Sequence, residues 1–208
     1  MSGDLANLLV VFDWNGTVMD DTRRAAHSTN TVLTARSRPT LNLEQFRAGF
    51  ILPLRNWMLD LGIDAADVES AENEWNEAML VAASPRAGAF EALSELYARG
   101  AVLGVASAAA AGTVRSDVER AGLTDLLTFV AAGVADKSTF LRAQRHRRAR
   151  AVYVGDTAYD MRSARAAGYV AVAITGGYQS KIALTAAEPD HVIADLNELT
   201  TVLPTVTA

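Results

Sequence analysis

The 208-residue chain contains no cysteine. A disulfide framework, a thiol nucleophile and a thiolate metal site are therefore excluded. Lysine is almost absent: Lys137 and Lys181 stand against seventeen arginines, and none occurs between residues 21 and 84. Histidine is sparse, and His27, His146 and His191 are scattered. With no G-x-S-x-G turn to accompany them, a serine–histidine hydrolase is not expected. No run of about eighteen large apolar residues occurs, which argues against a membrane-spanning helix. The start MSGDLAN is too polar for a signal peptide, so a cytoplasmic setting is expected. A net charge of -5 argues against a nucleic-acid partner. The one basic run, Arg142 to Arg150, reads as the solvated end of a helix, where cations offset the helix dipole.

Half the residues are apolar, enough for a sizeable core. Continuous apolar runs predict strands over Leu8–Asp13, Ala101–Ser107, Thr128–Ala132, Ala151–Gly155, Val170–Thr175 and His191–Ala194. Such runs suit parallel strands covered on both faces. Helical patterns alternate with them: Ala87–Arg99, with Phe90, Leu93, Leu96 and Tyr97 as its apolar positions, then Ala110–Ala121, Thr139–Arg148 and Tyr159–Ala167. That alternation predicts an α/β fold with a doubly wound parallel sheet, Rossmann-like in its core. Residues 21–84 break the rhythm with helical segments only, among them Ala65–Val81, striped by Val68, Ala71, Trp75, Ala78 and Met79. The expected organisation is a core of residues 1–20 and 85–208 with a helical cap over 21–84, placed to act as a lid.

Chemistry concentrates at two strand ends. The run VVFDWNGTVMDD carries Asp13 at the end of the first strand, followed by an Asn-Gly turn and two more acids, Asp20 and Asp21. The run VYVGDTAYD repeats the design with Gly155, Asp156 and Asp160. In α/β proteins such positions face the crevice beyond the sheet. If both lie on the first turn of a helix, Asp156 and Asp160 share a face. Crowded carboxylates repel unless a cation neutralises them, and Mg²⁺ suits oxygen ligands. Ser107 and Lys137 reach the same crevice if the strands are parallel, adding a hydroxyl and a positive charge. Gly133 to Thr139 faintly matches a P-loop, but Asp136 replaces the glycine before Lys137.

Taken in order, these segments resemble the haloacid dehalogenase-like (HAD) hydrolase superfamily, in its phosphatase branch with a helical cap. Its Asp-x-Asp-Gly-Thr motif is matched by Asp13-Trp14-Asn15-Gly16-Thr17, its second motif by Ser107, its third by Lys137 and its fourth by Gly155-Asp156-Thr157-Ala158-Tyr159-Asp160. The resemblance implies Asp13 as the nucleophile, forming an aspartyl-phosphate. It implies Mg²⁺ held by Asp13, the Asn15 carbonyl oxygen and Asp156, with Asp160 direct or through water. Lys137, Ser107, Ala108 and the Gly16–Thr17 backbone are implied to hold the phosphoryl group. The implied partner is a small phosphorylated metabolite. A monomer and a homodimer are both compatible with it.

The chain departs from the pattern at Asn15. Relatives place there the aspartate that protonates the leaving group and then activates water, and an amide exchanges no proton. General acid–base help is worth about 10²–10⁴-fold, so weak turnover of ordinary esters is expected. Acyl phosphates and anhydrides, which leave without a proton, are the favoured substrates. A second reading is a phosphate-binding or regulatory protein with little turnover. A phosphonate-cleaving relative needs a cap lysine that residues 21–84 lack. A dehalogenase needs no acidic Asp156/Asp160 pair, and a phosphomutase depends on the missing acid. Relatives of this type are often labelled phosphoglycolate phosphatases. In the cap, Arg55 is the named candidate for reading a second anionic group, beside Arg47, Asn56 and Trp57.

Overall fold

The computed structural model describes residues 5–203, so the first four residues of the polar start and the last five of the expected core lie outside the described residues. Six strands form one parallel sheet: β1 (Leu8–Phe12), β4 (Val102–Ala106), β5 (Phe129–Ala131), β6 (Arg150–Gly155), β7 (Val170–Ile174) and β8 (His191–Ile193), in the order β5-β4-β1-β6-β7-β8. The reason lies in β1. All five residues of its Leu-Leu-Val-Val-Phe run are buried, and it pairs with a parallel strand on each side. Successive side chains of a strand point to opposite faces. Leu8, Val10 and Phe12 accordingly enter a core shared with Leu93, Leu96 and Val114, whereas Leu9 and Val11 meet Leu141, Met161 and Leu184 on the other face.

The helices are therefore split between two layers. On the first face lie α5 (Ala89–Ala98), α6 (Ala111–Arg120) and α10 (Leu199–Val202); on the second lie α7 (Lys137–Gln144), α8 (Ala158–Ala166) and α9 (Lys181–Ala186). The chain winds from β1 through β4 to β5, then crosses β1 to reach β6. The carboxyl ends of β1 and β6 thus flank the point where the winding reverses, the usual crevice of such sheets. The expected stripe of α5 is shifted: Leu93 and Leu96 are buried, but Phe90 and Tyr97 are about half exposed. Ala89 and Ala92 take their place against the sheet, because small residues allow closer approach of helix and strand.

Four helices fill residues 21–84: α1 (Thr22–Ala35), α2 (Leu43–Gly49), α3 (Leu54–Asp60) and α4 (Val68–Ala78). A two-stranded antiparallel ribbon, β2 (Met19–Asp20) with β3 (Ser84–Pro85), ties the ends of this stretch together. Strands so short carry no periodic signal, and the sequence reading missed them. The four helices enclose a hydrophobic cluster of their own, built on Phe46, Phe50, Trp57, Met58, Val68, Ala71 and Trp75. Tyr178, from the loop after β7, enters this cluster and stacks edge-on against Phe46 and Phe50 with centroids 5.6 and 5.0 Å away. Among the described residues, no helix is long and apolar enough to cross a membrane.

Phe46 is fully buried and touches three aromatic rings. Phe46→Ala should cost about 3–5 kcal/mol of stability. Urea unfolding followed by the fluorescence of Trp57 and Trp75 measures it, and a loss below about 1 kcal/mol would contradict this packing.

Candidate active site

Neighbouring strands deliver the acids. Asp13 follows β1 and Asp156 follows β6, whose last paired positions include Phe12 and Val154. Ser107 follows β4 on the other flank of β1, and Lys137 opens α7 after β5. Asp160 lies in the first turn of α8, where Thr157 and Asp160 form a reciprocal capping box. One carboxylate oxygen from each of Asp13, Asp156 and Asp160 falls within 4.8 Å of the others, and all three residues are buried.

The cation inside this cluster is Lys137. Its Nζ lies 2.9 Å from Asp13 Oδ1 and 2.7 Å from Asp160 Oδ1, with no part of the side chain exposed. Burial acts against its charge, but the Asp13 and Asp160 carboxylates outweigh that and hold the ammonium pKa above its ordinary value. One cation among three carboxylates leaves an excess of negative charge. Desolvation, opposed by Lys137 and reinforced by Asp160, pushes Asp13 up to about 7. Burial and repulsion from Asp13 and Asp160 push Asp156 well above the carboxylate range. A divalent cation bound by oxygen removes this penalty, so the donor set fits Mg²⁺.

The two acids of the fourth motif are not equivalent. Asp156 lines a cleft of about 390 Å³, accepting the Thr17 hydroxyl at 2.9 Å and the Tyr178 amide at 2.6 Å. Asp160 has both oxygens engaged already: Oδ1 with Lys137 and the Tyr153 hydroxyl, Oδ2 with the Thr157 amide. It stands behind Lys137 and holds it.

Asp13, Asn15, Ser107, Ala108 and Lys137 all line the cleft with Asp156. Gly16 and Thr17 behave differently. The Gly16 amide donates to Asp21 Oδ1 at 2.7 Å, and the Thr17 amide to the Trp14 carbonyl at 3.3 Å. Both N–H groups are thus engaged within the protein, and neither residue lines the cleft. Gly16 instead allows close approach: at φ +72°, a Cβ there would lie 2.2 Å from Asp156 Oδ2. Arg55 is not brought to the cleft either. It is half exposed, 4.0 Å from Glu72, and Arg47 donates to the Gly176 and Gly177 carbonyls.

Asp21 is the group the sequence reading undervalued. Its Oδ2 accepts from Asn15 Nδ2 at 2.6 Å, from Arg24 at 2.8 Å and from the Tyr178 hydroxyl at 3.0 Å. Arg24 continues to Asp117 on α6 at 2.8 Å and to the Val81 carbonyl at 2.9 Å. The two acids closing the first motif were the available signal for Asp21, but nothing adjacent in sequence pointed to Asp117 or Tyr178.

Asp13 keeps its proton to a higher pH when folded and metal-free than its ordinary value of 3.8. The folded state therefore binds more protons than the unfolded one between those two values, and stability falls as pH rises through that window. We expect a decline on the order of 1–3 kcal/mol in chelator, flattened in Asp13→Asn. Thermal unfolding from pH 4 to 8 tests it, and identical slopes for the two proteins would contradict the buried charge.

The chain is similar to known proteins along most of its length. Residues 10–174 match the family described as haloacid dehalogenase-like hydrolase. Phosphoglycolate phosphatase of Synechococcus elongatus is 24% identical over 208 residues, covering 91% of this chain and 94% of that protein. A Dickeya dadantii protein named "Probable phosphatase IndB" is 28% identical, covering 92% of this chain and 91% of its own. A crystal structure described as a "predicted phosphatase" from Clostridium acetobutylicum superposes with a TM-score of 0.85 at 19% identity, covering 98% of this chain and 100% of that one. With the family match spanning both acidic strand ends, Ser107 and Lys137, the chain belongs to the haloacid dehalogenase-like hydrolases.

Proposed function

We propose that this hydrolase is a Mg²⁺-dependent phosphohydrolase of a small phosphorylated metabolite, acting through an aspartyl-phosphate on Asp13. The observation that carries the reading is Asp13 itself: a cleft-lining carboxylate held by a buried lysine beside two further buried acids. Asp13, the Asn15 carbonyl oxygen and Asp156 would hold the metal, with Asp160 serving through Lys137. When bound, Mg²⁺ supplies positive charge against the acids and the phosphoryl oxygens. Lys137 adds a fixed cation, and Ser107 with Ala108 borders the phosphoryl position. A cytoplasmic setting and a lid role for residues 21–84 belong to the same proposal.

In the first step an Asp13 oxygen bonds to phosphorus while the bond to the leaving oxygen breaks, and that oxygen keeps the electron pair. Asn15 has no proton to offer it. An acyl phosphate departs as a carboxylate and needs none, whereas an alkoxide does. In the second step water attacks the phosphorus while the bond to the Asp13 oxygen breaks and Asp13 keeps the electron pair. Asn15 accepts a hydrogen bond from that water without taking its proton, which passes instead to a phosphate oxygen. The Asn15 amide also motivates the second reading, a phosphate-binding protein with little turnover.

Phosphate release from acetyl phosphate, a sugar phosphate and p-nitrophenyl phosphate, with and without Mg²⁺, tests the proposal. Release should require Mg²⁺, vanish in Asp13→Asn and be fastest on acetyl phosphate; equal rates on acetyl and sugar phosphates would sink the leaving-group argument. Asn15→Asp should raise ester turnover by about 10²-fold. No release under any condition would favour the phosphate-binding reading.

A further inference from the structure

Beyond the phosphoryl position, the cleft is lined by an unusual set for a substrate with a second anion. From residues 21–84 it receives Phe50, Leu52, Pro53, Leu54, Glu72, Trp75 and Asn76. Glu72, Trp75 and Asn76 lie three and four residues apart, so they share one face of α4. Among the described lining residues Lys137 is the sole cation, and it is committed to Asp13 and Asp160. Three arginines of this stretch are engaged elsewhere: Arg24 with Asp21 and Asp117, Arg36 with Asp67 and Glu74, and Arg47 with carbonyls. Arg55 stands outside, offsetting part of the Glu72 charge from the solvent side.

Asn15 adds a second acceptor. Asp21 is a carboxylate and only accepts, so the Asn15 nitrogen is turned towards it at 2.6 Å. The oxygen Oδ1 is the end left over. It is buried without a partner in a residue that is 7% exposed and lines the cleft. The leaving-group side therefore offers a carboxylate, an amide oxygen and apolar walls. A carboxylate carried into it would be desolvated without a counter-charge, at a cost. An ammonium group would meet a counter-ion, acceptors and the Trp75 ring.

We propose that the leaving group of the natural substrate carries a protonated amine, with Glu72 as its counter-ion. This rests on the phosphohydrolase reading for the phosphoryl end but concerns the opposite end of the cleft. It separates the chain from its phosphoglycolate-named relative, because phosphoglycolate presents a carboxylate where this cleft offers one of its own.

Phosphoethanolamine and phosphoglycolate make a matched pair of probes, sharing the phosphate–oxygen–methylene unit and differing in the sign of the terminal charge. Their binding to the Mg²⁺-loaded, turnover-blocked Asp13→Asn protein is measured by calorimetry, beside acetyl phosphate turnover by the wild type. Phosphoethanolamine should bind at least tenfold more tightly. Adding Glu72→Gln should shrink that ratio at least threefold, and Glu72→Lys should invert it. Equal or tighter binding of phosphoglycolate, no binding of either probe, or a ratio indifferent to Glu72 would overturn the inference. If Arg55 reads an anion after all, Arg55→Ala will weaken phosphoglycolate selectively, which also overturns it. Loss of acetyl phosphate turnover in the wild type would instead strike the phosphohydrolase reading, while the calorimetric ratio stands as a separate answer.

Discussion

The buried contact between Lys137 and the carboxylates of Asp13 and Asp160 is the constraint on which the rest of the site depends. Removing an ammonium from water is costly, and the cost is offset here only because two carboxylates lie within 2.9 Å. Those carboxylates are in turn buried, and with Asp156 they outnumber the cation. The fold meets the remaining requirement by geometry. Adjacent parallel strands place Asp13 and Asp156 side by side, and the capping box of α8 fixes Asp160 behind the lysine. The site is thus held with one cation among three buried carboxylates, an arrangement incomplete in charge. Such incompleteness is characteristic of functional sites, where ionisable groups depart furthest from their ordinary pKa values.

A second charged node joins the helical stretch to the sheet. Arg24 on α1 bridges Asp21 and Asp117, and Tyr178 from the β7 loop donates to the same Asp21 oxygen that holds Asn15. Tyr178 is also packed among Phe46 and Phe50. A short chain of buried contacts therefore connects α1 and α2 to the Asn15 side chain. In this molecule the helices over the cleft and the first motif are joined by these hydrogen bonds and ring contacts.

The sheet was legible in the sequence because its strands are continuous apolar runs, and a strand such as Leu8–Phe12 has no other low-energy use. The acids at its end were legible for a related reason: Asp13 and Asp156 interrupt apolar runs at the point where a parallel sheet opens into its crevice. The partners of the Gly16 and Thr17 amides were not legible. A glycine-threonine pair after a strand looks the same in sequence whether its amides face a ligand or a neighbouring carboxylate, and only the position of Asp21 decides. Arg55 gave no periodic signal for which side of its short helix faces inward, and it stands beside Glu72 rather than in the cleft lining. Tyr178 escaped notice since its contacts with Asp21, Phe46 and Phe50 join segments far apart in the sequence, which local patterning does not encode.

Asn15 gains a physical explanation from its neighbour. A carboxylate in its place would stand 2.6 Å from the Asp21 oxygen, and two carboxylates at that distance must share a proton. With Arg24, Tyr178 and the Gly16 amide already donating to Asp21, that acid is well satisfied as an anion. An amide completes the set as a fourth donor and leaves its oxygen facing the cleft. The amide is thus the side chain that fits the surrounding charges best. Under the proposed mechanism substrate and site would then share the work differently: what Asn15 would not supply as a proton, the leaving group would have to bring or do without.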